Sequence, residues 1–239
     1  MSDEDRPGEI GPWGPAAPEE KAAGAPPPSR ERMFNAPWPS LVIVVAIVAS
    51  YAVQTLLPPG QADRLGFAPA DLDHGDWFTL LTAMFIHVSW AHALINALSA
   101  LAFGPPVARL MGGGWKGPSL FFLFYLTCGI IAGLGYAVMH LHSTQGAAGA
   151  SGAIAGLMGA AARLLGPEAR PIAPIRSQVV MSLGASWLVI NALMAITGAP
   201  FMASGVRIAW EAHIAGFVAG VVLIEPFARL AGWRPVARL

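Results

Sequence analysis

Charged residues are scarce in this 239-residue chain. Asp, Glu, Lys and Arg make up 12% of it, about half the share typical of a soluble domain, whereas 55% of the residues are hydrophobic. Basic and acidic residues are equal in number, at 14 each, so net charge provides no attraction to nucleic acid. The composition therefore predicts a protein whose surroundings are lipid rather than water.

Cysteine is almost absent as well. Cys128 is the only one, and it lies in an apolar stretch. An intrachain disulfide and a multi-cysteine metal site are therefore excluded. His140 and His142 form a His-x-His pair, but no carboxylate or third histidine lies nearby in sequence, so the pair indicates surface histidines rather than metal ligands.

Apolar stretches follow a polar N-terminal segment. Residues 1–37 are rich in Pro, Gly, Ala and Glu and have too little apolar content to form a core, so we expect a disordered cytoplasmic tail there. They also lack the apolar run of a signal peptide. Residues 38–230 contain six stretches close to the ~20 residues that a spanning helix needs: 40–58, 89–110, 118–141, 147–165, 177–197 and 206–228. The sequence therefore predicts an all-α membrane protein, a six-transmembrane-helix bundle ending in a short cytoplasmic tail, 231–239.

The basic residues predict the orientation of the chain, because Lys and Arg favour the cytoplasmic side of short loops. With the N-terminus inside, every Lys and Arg except Arg64 and Arg207 falls on the cytoplasmic face. We therefore expect both termini in the cytoplasm. Few lysines among abundant Ala, Gly and Pro indicate a GC-rich bacterial genome, and hence a bacterial inner membrane.

The apolar stretch from Trp77 to Met111 is too long for one crossing. Ser89 is a suitable helix N-cap, so the second span is predicted to begin there, with Trp77 to Val88 lying in the outer membrane interface. Gly104-Pro105-Pro106 is expected to kink or end this span.

Polar side chains within the predicted spans are costly and so mark candidate functional sites, and four of them stand out. His92 and Asn96 are four residues apart on the second span, on one helical face. Ser151 lies near the start of the fourth span, and His213 lies in the outer part of the sixth. These three spans run from outside to inside, so all four side chains are predicted roughly 5 to 12 Å below the outer surface.

Small residues recur on the helix faces that carry Ser151 and His213, which predicts close helix packing. They are Ser151, Ala155 and Gly159 on the fourth span and Gly216 and Gly220 on the sixth. Packing through these faces would bring Ser151 and His213 within the ~3 Å that proton transfer requires.

This pair predicts acyl transfer, because a serine hydroxyl becomes a strong nucleophile when a base takes its proton. Ser151 would be the nucleophile and His213 the base. The side chains of His92 and Asn96 and the backbone N–H of Ser151 could donate hydrogen bonds to the oxyanion. Glu211 is two residues from His213 and points to another side of the helix, so a dyad is predicted rather than a triad.

Each signal has a second interpretation when taken alone. A serine between glycines is most often a packing residue, and His92 or Asn96 alone would be typical of hydrogen bonding between helices. His213 alone could belong to a proton path. Shared face, depth and chain order favour a site. A transporter or channel remains an alternative, although inverted repeats between the two halves are not evident.

In these residues the chain resembles the rhomboid family of intramembrane serine proteases, over about residues 38–230. The matching features, in family order, are His87, the His92 to Asn96 pair, Phe103-Gly104-Pro105-Pro106, Gly149-Ala150-Ser151-Gly152, and Ala212-His213-Ile214-Ala215-Gly216 followed by Gly220.

The resemblance implies a rhomboid-like six-helix bundle with an interfacial first outer loop. It implies that Ser151 is the nucleophile, His213 the general base, and His92, Asn96 and the Ser151 N–H the oxyanion hole, with His87 near the site entrance. The supporting glycines would be Gly149, Gly152, Gly216 and Gly220. The expected substrates are transmembrane segments of other proteins, with small residues at the cleaved bond and a locally unstable helix. No metal or cofactor is expected.

Two features depart from the family pattern. Phe78 and Thr79 stand where many members have a Trp-Arg pair, and Ala155 stands where many have a Tyr that stacks on the catalytic histidine.

A relative that binds membrane clients without cleaving them is the other alternative. Its usual mark is loss of the serine or the histidine, and both are present here.

Overall fold

The computed structural model describes residues 36–165, 172–197 and 208–234 of the chain. Helices dominate these residues: α1 (Trp38–Gln54), α2 (Pro69–Asp73), α3 (Thr79–Thr82), α4 (Trp90–Met111), α5 (Lys116–Met139), α6 (Ser151–Leu164), α7 (Gln178–Thr197) and α8 (Trp210–Leu230). The predicted all-α fold is therefore confirmed. The disordered tail predicted for residues 1–37 lies outside the described residues apart from its last two, and so do residues 235–239 of the C-terminal tail.

Six of these helices overlap the six apolar stretches of the sequence. Four of them, α4, α5, α7 and α8, are long and apolar enough to cross a membrane, within the residues described. The other two are shorter, because α1 has 17 residues and α6 only 14, which gives α6 a length of about 21 Å. The predicted fourth span, 147–165, was therefore too long at its start, since the chain becomes helical only at Ser151.

The start of α4 follows the predicted capping pattern. The Ser89 side chain accepts a hydrogen bond from the backbone N–H of His92, at 3.1 Å. The helix then continues through Pro105 and Pro106 to Met111, so the prolines do not end it. Gly104 lets α1 approach closely here, since a Cβ on it would lie 3.0 Å from Ser40 Oγ.

Helix α6 lies at the centre of the bundle, with 11 of its 14 residues buried. It packs closely on α8 through glycines: a Cβ added to Gly216 or Gly220 would overlap the backbone carbonyl of Gly152 or Gly156. The sequence predicted the glycines on the α8 side of this contact. On α6 the closest approach uses Gly152, Gly156 and Gly159, a face rotated slightly from the predicted Ser151, Ala155 and Gly159.

The loop between α1 and α4 folds back onto the segment before α6. Phe67 and Ala147 exchange two backbone hydrogen bonds, at 3.1 and 2.7 Å, and the Thr82 hydroxyl donates to the Leu65 carbonyl at 2.8 Å. Trp77 and Phe78, for which an interfacial position was predicted, are more than half exposed. Hydrogen bonds from this loop therefore hold in place the segment that precedes Ser151.

At the other end of α6, the sequence placed Arg163 on the cytoplasmic face, but its side chain is only 4% exposed. The guanidinium donates to the carbonyls of Ala173 and Val221 and pairs with Glu225 at 3.1 Å. A buried charge is tolerated because all these partners satisfy it. Arg163 therefore ties α6 to α8.

Candidate active site

Ser151 and His213 lie in hydrogen-bonding contact, although 62 residues separate them in the chain. His213 Nε2 is 2.7 Å from Ser151 Oγ. Ser151 is the first residue of α6, and His213 lies in the first turn of α8. The contact exists because the glycines of the two helices allow their backbones to approach. It has the length that proton transfer from serine to histidine needs.

Gly149 shapes the turn that presents Ser151. Its φ is +124°, a conformation that glycine adopts far more readily than other residues. A Cβ at this position would lie 2.7 Å from Cε1 of His92. The Gly149 N–H donates to the Ala83 carbonyl at 2.9 Å. The glycine therefore allows His92 to lie against the backbone beside Ser151.

His92 and Asn96 lie on the buried face of α4, and both line the same cavity as Ser151 and His213. Asn96 Nδ2 donates to the His92 carbonyl at 3.1 Å and carries a second N–H. The backbone N–H of Ser151 has no acceptor within its own helix, because Ser151 is the first helical residue. Three groups that can donate hydrogen bonds thus belong to residues that line the same cavity as the serine hydroxyl.

His87 is fully buried. Its backbone N–H and carbonyl are both bonded to the Gln54 side chain, at 3.0 and 2.7 Å. Its ring packs edge-on against His92, with centroids 5.1 Å apart. His87 therefore supports the ring of His92 and lines the same cavity as Ser151 and His213.

A cavity of about 950 Å³ is lined by His87, His92, Asn96, Ser151 and His213. At one end it is lined by loop residues, among them Asp63, Arg64 and Gln145. At the other it reaches Phe103, Met158 and Met194, deep between the helices. The cavity is therefore polar towards the loops and apolar below the serine, and it is large enough for several residues of an extended peptide.

Two residues of α7 contact the His213 ring, and sequence reasoning selected neither. Asn191 Oδ1 lies 2.7 Å from His213 Nδ1, and the Trp187 ring lies 5.9 Å from the His213 ring between centroids, tilted by 38°. Trp187 therefore provides the aromatic neighbour that Ala155 does not. The available signal was the position of Asn191, an amide inside the predicted fifth span.

Glu211 turns away from the candidate site, as its helical position predicted. Its carboxylate contacts His140 Nε2 at 2.9 Å. His142 likewise contacts Asp73 at 2.8 Å. The two histidines of the His-x-His pair thus have separate carboxylate partners, which were distant in sequence.

The chain is similar to known proteins across this region. A family model described as "Rhomboid domain" matches residues 74–229. "Rhomboid protease GluP" of Bacillus subtilis (strain 168) is 34% identical over 76 residues, which are 32% of this chain and 14% of that protein. "Putative rhomboid protease YdcA" of the same organism is 34% identical over 82 residues, 34% of this chain and 38% of that protein. Both alignments thus span well under two thirds of the relative's length.

Proposed function

Because the chain belongs to the rhomboid family and is an integral membrane protein, we propose that it is a serine endopeptidase that cleaves transmembrane segments of other membrane proteins. The observation that carries this proposal is the 2.7 Å contact between His213 Nε2 and Ser151 Oγ. The two relatives whose names include "rhomboid protease" also support it.

The reaction follows from the positions of the two side chains. Ser151 Oγ attacks the carbonyl carbon of the scissile peptide bond while His213 Nε2 takes the hydroxyl proton. The C–N bond then breaks, and the imidazolium returns its proton to the leaving amine. An acyl-serine ester remains. A water molecule attacks this ester as it loses a proton to His213. The C–O bond to Ser151 Oγ then breaks and the imidazolium returns the proton to that oxygen, which releases the second product and restores both side chains.

The negative charge of each tetrahedral intermediate requires donors that are already oriented before reaction. His92, Asn96 and the backbone N–H of Ser151 are the proposed donors, because they line the cavity around the hydroxyl. The Ser151 N–H lies at the start of α6, where the helix dipole also favours an anion. The proposed reaction uses Ser151, His213, these donors and water.

The proposed setting is a six-span bundle with both termini in the cytoplasm of a bacterium. In this orientation the polar end of the cavity faces the outside, and water reaches Ser151 from there. A substrate helix would have to unwind locally to present a peptide bond at this depth, which favours segments that are locally unstable and carry small residues. The short α1 and α6 would be completed as spans by the loops that adjoin them.

Cleavage of a transmembrane reporter in proteoliposomes tests the proposal. Wild-type protein should cut the reporter within its membrane segment, and Ser151→Ala and His213→Ala should lower the cleavage rate at least about a thousandfold. Equal cleavage by wild type and Ser151→Ala would overturn the proposal. Stable binding of the reporter without cleavage by wild-type protein would instead support a relative that retains membrane clients.

A further inference from the structure

Asn191 is a buried amide on a helix that otherwise faces outward. Of the α7 side chains described, only Val180 and Asn191 are buried, and Asn191 is fully so. A buried polar side chain in an apolar helix is costly unless its hydrogen bonds are satisfied. Asn191 Oδ1 meets His213 Nδ1 at 2.7 Å, and Nδ2 donates to the Trp187 carbonyl at 2.9 Å. The two hydrogen bonds described for its side chain are thus directed at the His213 ring and at its own helix.

The Trp187 carbonyl determines which way the amide points. A carbonyl can only accept a hydrogen bond, so the atom that faces it must be the NH₂ group of Asn191. Oδ1 is then left to face His213, and as an acceptor it requires a proton on His213 Nδ1. With that proton in place, Nε2 of the neutral ring is an acceptor. It faces the Ser151 hydroxyl in the state that a general base needs.

We propose that Asn191 is a positioning residue that holds His213 in the Nδ1–H tautomer and in the ring orientation that directs Nε2 at Ser151. This inference rests on the proposed protease function. It replaces the predicted dyad by a Ser-His-Asn arrangement in which the third group is neutral. Asn191 does not touch the reacting atoms, so its effect passes entirely through His213.

The other polar neighbours of His213 do not supply this role. His92 lines the same cavity as His213, and the carboxylate of Glu211 is bonded to His140. Trp187 contributes a ring face and not an acceptor for Nδ1. Among the described residues, the acceptor bonded to Nδ1 is therefore the Asn191 amide.

The test compares Asn191→Leu and Asn191→Asp with wild type in detergent, by the rate of fluorophosphonate labelling and by reporter cleavage across a pH series. Leu keeps the volume and removes the acceptor, so kcat and the labelling rate should fall about tenfold or more while KM changes less than about twofold. Asp keeps the acceptor, so activity at its own optimum should stay within about threefold. Its added charge favours the imidazolium, so the acid limb of the profile should move to higher pH by about one unit or more.

Val189→Ala provides the matched control, because Val189 is on the same helix and is 57% exposed. It should label like wild type. A purely structural Asn191 would give the two variants the same loss with lowered thermal stability and an unmoved acid limb, which would overturn the inference. Wild-type labelling by Asn191→Leu would overturn it as well. Both of these results leave the proposed function intact, whereas a wild-type protein that does not label removes both proposals.

Discussion

At the scale of single residues, His92 and Asn96 share one buried face of α4 and one cavity with Ser151. If they stabilise the oxyanion, removing either donor raises the barrier to the chemical step without affecting the fold. His92→Ala and Asn96→Ala should each lower kcat about tenfold to a thousandfold with little change in KM. Steady-state cleavage of the reporter measures both constants.

Leu98→Ala is the control for these variants, because Leu98 lies on the same helix and is 66% exposed. It should retain wild-type kcat. If the losses in His92→Ala and Asn96→Ala appear only in KM, or follow their thermal stability, the two residues bind substrate or pack helices and do not stabilise charge.

The sequence predicted the residues of the site better than their supports. Ser151, His213, His92 and Asn96 could be selected because a polar residue in an apolar span is costly and because helical rise sets its depth. Asn191 was equally visible as a polar residue in a span. Its contact with His213 depends on the rotation of α7 about its axis, which an almost uniformly apolar helix does not reveal.

At the scale of helices, the contact between α6 and α8 holds Ser151 against His213. A Cβ on Gly220 would overlap the carbonyl of Gly156, and both partners are backbone, so neither can move without displacing its helix. Gly220→Ala should therefore destabilise the protein by about 3 kcal/mol and lower activity with it. Unfolding in mixed micelles by increasing SDS measures the change in stability.

Gly113→Ala is the matched control, since a Cβ there would meet nothing within 4 Å. Its free energy of unfolding should stay within about 0.5 kcal/mol of wild type. Equal stability of Gly220→Ala and Gly113→Ala would mean that α6 and α8 are not held by close backbone contact.

Helix existence could be predicted from apolar length, whereas helix boundaries could not. The fourth span was expected from residue 147, but Gly149 with its positive φ delays the helix to Ser151. The pairing of Phe67 with Ala147 joins segments about 80 residues apart, and no local pattern announces such a contact. Hydropathy alone could not distinguish a central helix such as α6 from one that faces lipid.

At the scale of the whole molecule, the proposed orientation with both termini in the cytoplasm makes the cavity accessible from the outside. Trp115 directly precedes α5, and Leu141 lies two residues beyond its end. The two residues are 90% and 69% exposed. In spheroplasts, a membrane-impermeant maleimide should label Leu141→Cys directly and Trp115→Cys only after lysis. The opposite pattern would reverse the proposed orientation.

The native chain provides the background control for this experiment. Its single cysteine, Cys128, is fully buried, so the unmodified protein should remain unlabelled before and after lysis. Labelling of the unmodified chain would show that α5 opens enough to expose its interior.

The central claim is that Ser151 is a nucleophile activated by His213, and covalent capture tests it most directly. After treatment of detergent-solubilised protein with a fluorophosphonate, peptide mass spectrometry should locate one adduct on Ser151. Labelling should be abolished in Ser151→Ala and at least about a hundredfold slower in His213→Ala. An unlabelled wild-type protein, or an adduct that persists in Ser151→Ala, would contradict the account.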